Sequence, residues 1–198
     1  MHRRFSFALC IVRLMVVASI VSSPLCAQGS PTGKGSWIIS GNAGLSSQKV
    51  DGADATTTSI NIAPSGLYFV SPGVAVGGTV SFGYLTNPSV SSTSFGVGPT
   101  IRYYFGDRTG KTLPFVSARV AQTWTSNDPK NSTSESTTST GLEVEGTIGF
   151  THLLVPHVGI TGEAYYTHLD FSSDRGSLHA TQSASAFGLR FGVTAFVF

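Results

Sequence analysis

Apolar and polar side chains alternate with a period of two along most of the chain from residue 36 onward. This is the repeat of a half-buried β-strand, and no long stretch follows the period of an amphipathic helix. The pattern predicts eight strands, at residues 36–46, 58–70, 74–85, 94–105, 114–125, 141–152, 157–168 and 186–198. Each segment is long enough to cross a bilayer as a tilted strand, which takes about 9–11 residues.

The connections between these segments alternate between long and short. The long ones are polar and rich in Ser, Thr, Asp and Asn, and they cover residues 47–57, 86–93, 126–140 and 169–185. The short ones cover residues 71–73, 106–113 and 153–156. Strict alternation of this kind places all the long loops at one end of an up-and-down sheet. We expect residues 132–140, a low-complexity run of Ser and Thr, to form a loop without a core of its own.

Six charged residues interrupt the strands, and all six lie on the face opposite the apolar side chains. They are Arg102, Arg119, Glu143, Glu145, Glu163 and Arg190. The rest of that face is small or polar. Because the set contains three cations and three anions, we expect these side chains to pair inside a barrel, where a lone charge would cost several kcal/mol. A narrow ion path or gated pore is the functional alternative for the same residues.

Large aromatic side chains lie at both ends of the apolar face. Near the short connections these are Trp37, Tyr68, Tyr103, Phe105 and Phe150, and near the long loops they are Tyr84, Phe95, Trp124, Tyr166 and Phe187. Two aromatic belts around an aliphatic band are typical of a lipid-facing surface. An open sheet edge in lipid would leave backbone groups unsatisfied, so the sheet must close. The sequence therefore predicts an all-β, eight-stranded, antiparallel up-and-down transmembrane β-barrel.

Two features fit this pattern poorly, the prolines within strands and the aromatic residues at the end of the last strand. Pro64 and Pro99 fall within predicted strands, where proline lacks the N–H that a closed barrel needs, so we expect a bulge or a bend at each. Phe196 and Phe198 fall on the inward parity of the last strand. Either Phe198 emerges at the rim, or a bulge switches the register near the end of the chain.

The first 27 residues have the pattern of a secretory signal peptide. Arg3 and Arg4 open the segment, and a mostly apolar stretch interrupted by Arg13 follows. A small residue, Ala27, precedes the expected cleavage point. The prediction is a signal peptide at residues 1–27 and a barrel domain at residues 28–198.

Composition supports a secreted barrel and excludes several other classes. Only 11% of the 198 residues are charged and the net charge is +2, which argues against a nucleic-acid binder or a disordered chain. Removing residues 1–27 leaves nine cations against ten anions. Both cysteines, Cys10 and Cys26, leave with that segment, so we expect no disulfide and no cysteine metal site in the mature chain.

The chain resembles the small eight-stranded outer-membrane barrels of the OmpA/OmpX type. The resemblance covers residues 28–198 and rests on the signal peptide, eight alternating segments, long loops on one side and the terminal Phe198. In that family an aromatic end of the last strand is similar to the signal read by the barrel-assembly machinery, and Phe191, Phe196 and Phe198 are the matching positions. The resemblance implies an integral outer-membrane protein with a role in adhesion, envelope integrity or host interaction.

Catalysis has few candidates in this sequence. His168 with Asp170, and His179 with Asp174 and Ser183, could each combine a base with an orienting group. We expect His168 to lie at the membrane interface and His179 in a loop, and we predict no catalytic residues.

Metal binding is also not expected. His152, His157 and His168 should lie at different levels or on different faces, without the spacing of a zinc site. We predict no metal and no cofactor.

The main hypothesis is a non-enzymatic, monomeric outer-membrane barrel whose loops 47–57, 126–140 and 169–185 contact an unknown extracellular partner. Its other partners are membrane lipids and the assembly machinery, and nucleic acid is not among them. Two alternatives stay open. One is a narrow channel or a binder of a small apolar ligand around Glu143, Glu145 and Arg119, and the other is a lipid-active enzyme using His168.

Overall fold

The computed structural model describes residues 30–49, 56–106, 110–130, 136–175 and 178–198, and they form a closed antiparallel β-barrel. Its strands are β1 (Trp37–Lys49), β2 (Thr56–Ser71), β3 (Val74–Thr86), β4 (Val90–Tyr104), β5 (Thr112–Pro129), β6 (Thr137–Val155), β7 (Val158–Arg175) and β8 (Leu178–Val197). Each strand pairs with the next, and β8 pairs with β1. The predicted fold class is confirmed. No helix in the described ranges is long and apolar enough to span a bilayer. The predicted signal peptide, residues 1–27, lies outside the described residues.

The strands are strongly tilted, as closure of an eight-stranded sheet requires. Successive partners across the barrel lead from Trp37, the first residue of β1, to Tyr166 on β7 and Phe187 on β8. Trp37 lies at the end with the short turns, whereas Tyr166 and Phe187 lie toward the opposite end. The β1–β8 junction is the shortest, because its pairing stops at Ala43 and Phe191.

Four connections lie at one end of the barrel, as predicted, but the strands reach further into them than expected. The largest difference lies at residues 169–185, where the sequence predicts a long loop. The structure instead pairs β7 with β8 up to Arg175 and Leu178. Likewise β5 continues to Pro129, and β6 begins at Thr137. The alternating Ser and Thr residues of these segments suit a strand whose two faces both meet water, so polarity alone did not mark a loop. Residues 50–55, 131–135 and 176–177 lie outside the described residues.

The two prolines interrupt the ladder without changing its register. Pro64 keeps its β1 partner, and Pro99 keeps its β3 partner. On the other side, β2–β3 pairing skips from Ile62 to Ser65, with the same register before and after. The predicted bulges are therefore absent at both prolines. A missing N–H costs a local pair but leaves the alternation of faces intact.

Glycine beside Pro99 allows an unusually close approach of two strands. A Cβ added at Gly98 would collide with the Val120 carbonyl and the Ala121 Cα of β5. By contrast, Gly41 on β1 has open space around its Cα. Gly98 thus fits a place where β4 presses against β5, a common use of glycine in curved sheets.

The segment before β1 is bonded to β2 and to the β2–β3 turn at the short-turn end of the barrel. The N–H of Gly35 donates to the Phe69 carbonyl at 3.0 Å, and the N–H of Gly73 donates to the Thr32 carbonyl at 2.8 Å. Gly73 itself has a φ of 83°, a left-handed conformation that suits glycine in the tight β2–β3 turn. These bonds fix the segment against β2 and its turn.

The outer wall is apolar, as the alternation predicted. Trp37 is 50% exposed and Ile148 is 60% exposed, although both are large and hydrophobic. Both predicted aromatic belts point outward, and ring pairs link neighbouring strands within them, including Trp37 with Tyr68 and Phe95 with Trp124. An exposed apolar surface of this extent is typical of a wall that contacts lipid or another protein rather than water.

The lumen contains an apolar plug at its short-turn end that the sequence analysis did not predict. The plug consists of Ile38, Leu67, Phe69, Ala75, Tyr104, Leu113, Phe115 and Phe196. The sequence marks the plug by short runs of consecutive apolar residues at the strand ends, such as Tyr68–Val70 and Tyr103–Phe105. A run of this kind places large side chains on both faces of the strand.

The end of β8 follows the first of the two predicted alternatives. The β7–β8 and β1–β8 registers run without a shift, so Phe196 points into the plug and is buried. Phe198 is half-buried at the rim, where its ring stacks on His157 with a centroid distance of 4.5 Å.

Candidate functional site in the barrel lumen

The six charged residues predicted to face inward all lie in the lumen. Five are buried, and the side chain of Glu143 is 16% exposed. Alternation along β4 to β8 directs them inward, and the register makes cross-strand partners of Glu163 with Arg190 and of Arg119 with Glu145. We call this set, Arg102, Arg119, Glu143, Glu145, Glu163 and Arg190, the lumen network.

Arg190 is the centre of the network. Its Nη1 and Nη2 donate to the two carboxylate oxygens of Glu145 at 2.9 and 2.8 Å, and its Nε donates to Glu163 Oε1 at 2.8 Å. The guanidinium also lies over the ring of Tyr165, 4.3 Å from its centroid. Bidentate binding of this kind fixes both the guanidinium and the carboxylate in one geometry.

Arg119 extends the network toward the long-loop end. Its Nη2 pairs closely with Glu143 and lies 3.4 Å from Glu145 Oε2. Glu145 therefore binds two arginines, and Thr147 donates to it at 3.4 Å. The network is continuous from β5 through β6 to β8.

Glu163 on β7 joins the network to β1 and to β4. Asn42 on β1 donates to its Oε1 at 2.7 Å, and Arg102 on β4 lies 3.8 Å from its Oε2. The Arg102 guanidinium rests on the ring of Phe115, 4.2 Å from its centroid. Arg102 thus links the charged layer to the apolar plug.

The network balances its charges but leaves room for solvent. Arg102 and Arg119 each have two buried nitrogens, Nε and Nη1, without a hydrogen-bond partner. A cavity of about 20 Å³ lies among them and is bordered by Asn42, Thr100 and Glu163. This volume suits a single water, which needs about 10–15 Å³ and two or more polar partners.

The lumen therefore has three layers. The apolar plug fills the short-turn end, the lumen network crosses the middle, and a cavity of about 790 Å³ lies at the long-loop end. This upper cavity is bordered by Arg119, Glu143, Asn61 and Thr167, among others. Its lining mixes polar and apolar residues, so the small apolar ligand considered from the sequence stays an alternative. The two layers below the cavity obstruct a continuous pore.

The remaining sequence candidates lie outside the lumen network. His152 pairs with Thr112 at 2.9 Å, and His157 stacks on Phe198. Within the described ranges, no three His, Cys, Asp or Glu side chains converge as a metal site would require. The side chains of His179 and Asp174 lie outside the described residues.

His168 contacts Asp170, as the sequence suggested, and also Ser185, which sequence spacing alone did not show. Its Nδ1 lies 2.8 Å from Ser185 Oγ on β8, and its Nε2 lies 3.4 Å from Asp170 Oδ1. The cluster lies on the outer wall.

Solved structures share this fold at low sequence identity. Neisserial surface protein A is 18% identical with a TM-score of 0.55, covering 82% of this chain and 97% of that one. The outer membrane protein OprG from Pseudomonas aeruginosa is 14% identical with a TM-score of 0.56, covering 85% and 99%. The N-terminal barrel domain of OprF, also from Pseudomonas aeruginosa, is 14% identical with a TM-score of 0.51, covering 83% and 98%. No protein-family model and no curated protein matches the sequence. The chain has the fold of the small eight-stranded outer-membrane barrels.

Proposed function

We propose that the protein is an integral barrel of the bacterial outer membrane with a sealed lumen, acting in envelope structure or surface contact rather than in transport. Two features together carry the proposal. The outer wall is apolar with two aromatic belts, and the lumen is closed by ion pairs and by the apolar plug. The wall suits lipid, and the filled interior suits a structural barrel. No catalytic role is assigned to the lumen.

Contacts outside the membrane are proposed to come from the extended hairpins. The β5–β6 and β7–β8 hairpins continue beyond the belt residues Trp124 and Phe187 as paired strands. A paired ribbon presents a firmer surface than the loops expected from the sequence. The partner of these hairpins is proposed to be extracellular, and the barrel itself is proposed to be a monomer.

The end of β8 is proposed as the assembly signal. Phe191 faces outward, while Phe196 and Phe198 pack at the short-turn end. These are the aromatic positions expected to be read by the barrel-assembly machinery before the strand closes against β1.

Planar-bilayer recording tests the sealed lumen. Purified protein, shown to be folded by heat-dependent migration on SDS gels, should give no stable single-channel steps. The plug and the network each obstruct the path, so Glu145→Gln alone should not open it. Stable steps in the unaltered protein that a Glu145 substitution abolishes would refute the sealed barrel and favour the narrow channel.

A further inference from the structure

The outer wall carries a linked row of four polar side chains on β7 and β8. Ser185 Oγ lies 2.8 Å from His168 Nδ1 and 3.1 Å from the Tyr166 hydroxyl, while His168 Nε2 lies 3.4 Å from Asp170 Oδ1. His168 and Ser185 are direct cross-strand partners. The sequence separates them by 17 residues, so only the pairing of the two strands brings them together.

One placement of hydrogens satisfies the donors and acceptors of this row together. With the proton of a neutral imidazole on Nε2, that nitrogen faces the Asp170 carboxylate. Nδ1 is then an acceptor for the Ser185 hydroxyl, and the Tyr166 hydroxyl donates to Ser185 Oγ. The serine has a base beside it, and the base has a carboxylate on its other side. Ser185, His168 and Asp170 thus have the geometry of a nucleophile, a general base and a carboxylate that orients the base.

The position of the row relative to the lipid limits what could reach it. Tyr166 and Phe187 are cross-strand partners in the long-loop aromatic belt, and His168 and Ser185 are the next outward pair along the same strands. Aromatic belts lie at the headgroup level of a bilayer. The side chains of His168 and Asp170 are 45% and 59% exposed, so the row is open to a lipid moving along the wall. Acyl ester groups are the electrophiles that lie between headgroup and hydrocarbon.

We propose that Ser185, His168 and Asp170 form a hydrolytic site on the outer wall that cleaves carboxylic esters of outer-leaflet lipids. Ser185 Oγ attacks the ester carbonyl carbon while its proton passes to His168 Nδ1. The carbon–oxygen bond to the lipid alcohol then breaks, and the alcohol leaves with the proton from Nδ1. Water, deprotonated by the same nitrogen, attacks the acyl-serine and releases the fatty acid, so one ester and one water give one acid and one alcohol.

Tyr166 completes the site as a hydrogen-bond donor. Once Ser185 Oγ bonds to carbon, the Tyr166 hydroxyl is free to turn to the carbonyl oxygen as it gains charge. Asp170 acts through His168 and is a positioning residue. The site goes beyond the proposed structural role and does not depend on the lumen being sealed.

The test uses the full mature barrel refolded into vesicles, with folding checked by heat-dependent migration. One set of vesicles contains phospholipid alone, and the other also contains lipopolysaccharide. Released fatty acids and the residual lipids are measured by mass spectrometry. Loss of acyl chains from one lipid class identifies the ester source, and loss from either class supports the site. A fluorophosphonate probe should label the folded protein at Ser185.

Matched variants separate chemistry from folding. Ser185→Ala and His168→Ala should each lower fatty-acid release by more than about a hundredfold, as expected when a member of a nucleophile–base pair is lost. Asp170→Asn should lower kcat and leave KM within about twofold. The control is Ser126→Ala, which should retain full activity. Like Ser185 beside Phe187, Ser126 lies two residues from a belt aromatic, Trp124, on the side toward the long loops. No release from either lipid by the folded protein, or equal release by Ser185→Ala, would overturn the proposal.

Discussion

Replacing Arg190 by Met should strongly destabilise the barrel. Methionine fills much of the same volume but removes three hydrogen bonds, each 2.8 to 2.9 Å long, to Glu145 and Glu163. Two arginines would then face three carboxylates in the lumen. Glu163 would keep Asn42 and the more distant Arg102, neither of which replaces a charge-assisted bond at 2.8 Å. Removing one partner of a buried ion pair costs about 3–5 kcal/mol, and we expect a loss of unfolding free energy in this range.

Urea unfolding in detergent micelles measures this loss, with the fluorescence of Trp37 and Trp124 as the signal from the two ends of the wall. Lys34→Met, at an exposed position before β1, is the control and should change stability by less than about 0.5 kcal/mol. Adding Glu145→Gln to Arg190→Met restores the charge balance and should recover about 1 kcal/mol or more. The reasoning fails if Arg190→Met costs less than about 1 kcal/mol, or if the double variant is less stable than the single one.

Two further variants test the wall and the strand contacts. Ile148→Arg should lower the free energy of unfolding in vesicles by about 2–4 kcal/mol, because Ile148 lies outward between the belts. Val155→Arg, at the end of β6, should lower it by about 0–1 kcal/mol. Equal losses for the two variants would contradict the lipid-facing assignment. Gly98→Ala should lower the yield of heat-modifiable barrel on refolding, since the added Cβ meets backbone atoms of β5, whereas Gly41→Ala has open space and should refold normally. Similar yields for the two alanine variants would show that β4 and β5 separate without cost.

The existence of the lumen network could be predicted from the sequence, but its pairing only in part. Three cations and three anions on one parity require mutual neutralisation. The bonds of Arg190 to Glu163 and of Arg119 to Glu145 follow once the hairpin registers are known, because each is a direct cross-strand pair. The approach of Arg102 to Glu163 spans the lumen between β4 and β7. Such a contact depends on barrel closure and strand tilt, which no local pattern encodes.

The apolar plug could not be recognised while each strand was assigned one apolar face. Phe69, Tyr104, Phe115 and Phe196 occupy the inward parity, and they lie beside outward apolar residues at the strand ends. The runs they form break the alternation, so by their pattern they resemble the end of a strand. In this barrel the inward side chains of these runs meet at the short-turn end and close the interior instead.

The same limit explains why the Ser185–His168 pair was missed. Within one strand, His168 is followed by Asp170 on the same face, and the sequence showed this. The nucleophile comes from the other strand, and its identity depends on the register of the hairpin. Pairing of Arg175 with Leu178 sets His168 opposite Ser185, and a slip of one residue would turn the serine to the lumen face. A loop at residues 169–185 would have specified no register at all. The extended β7–β8 ribbon is therefore the element on which the outer-wall site depends.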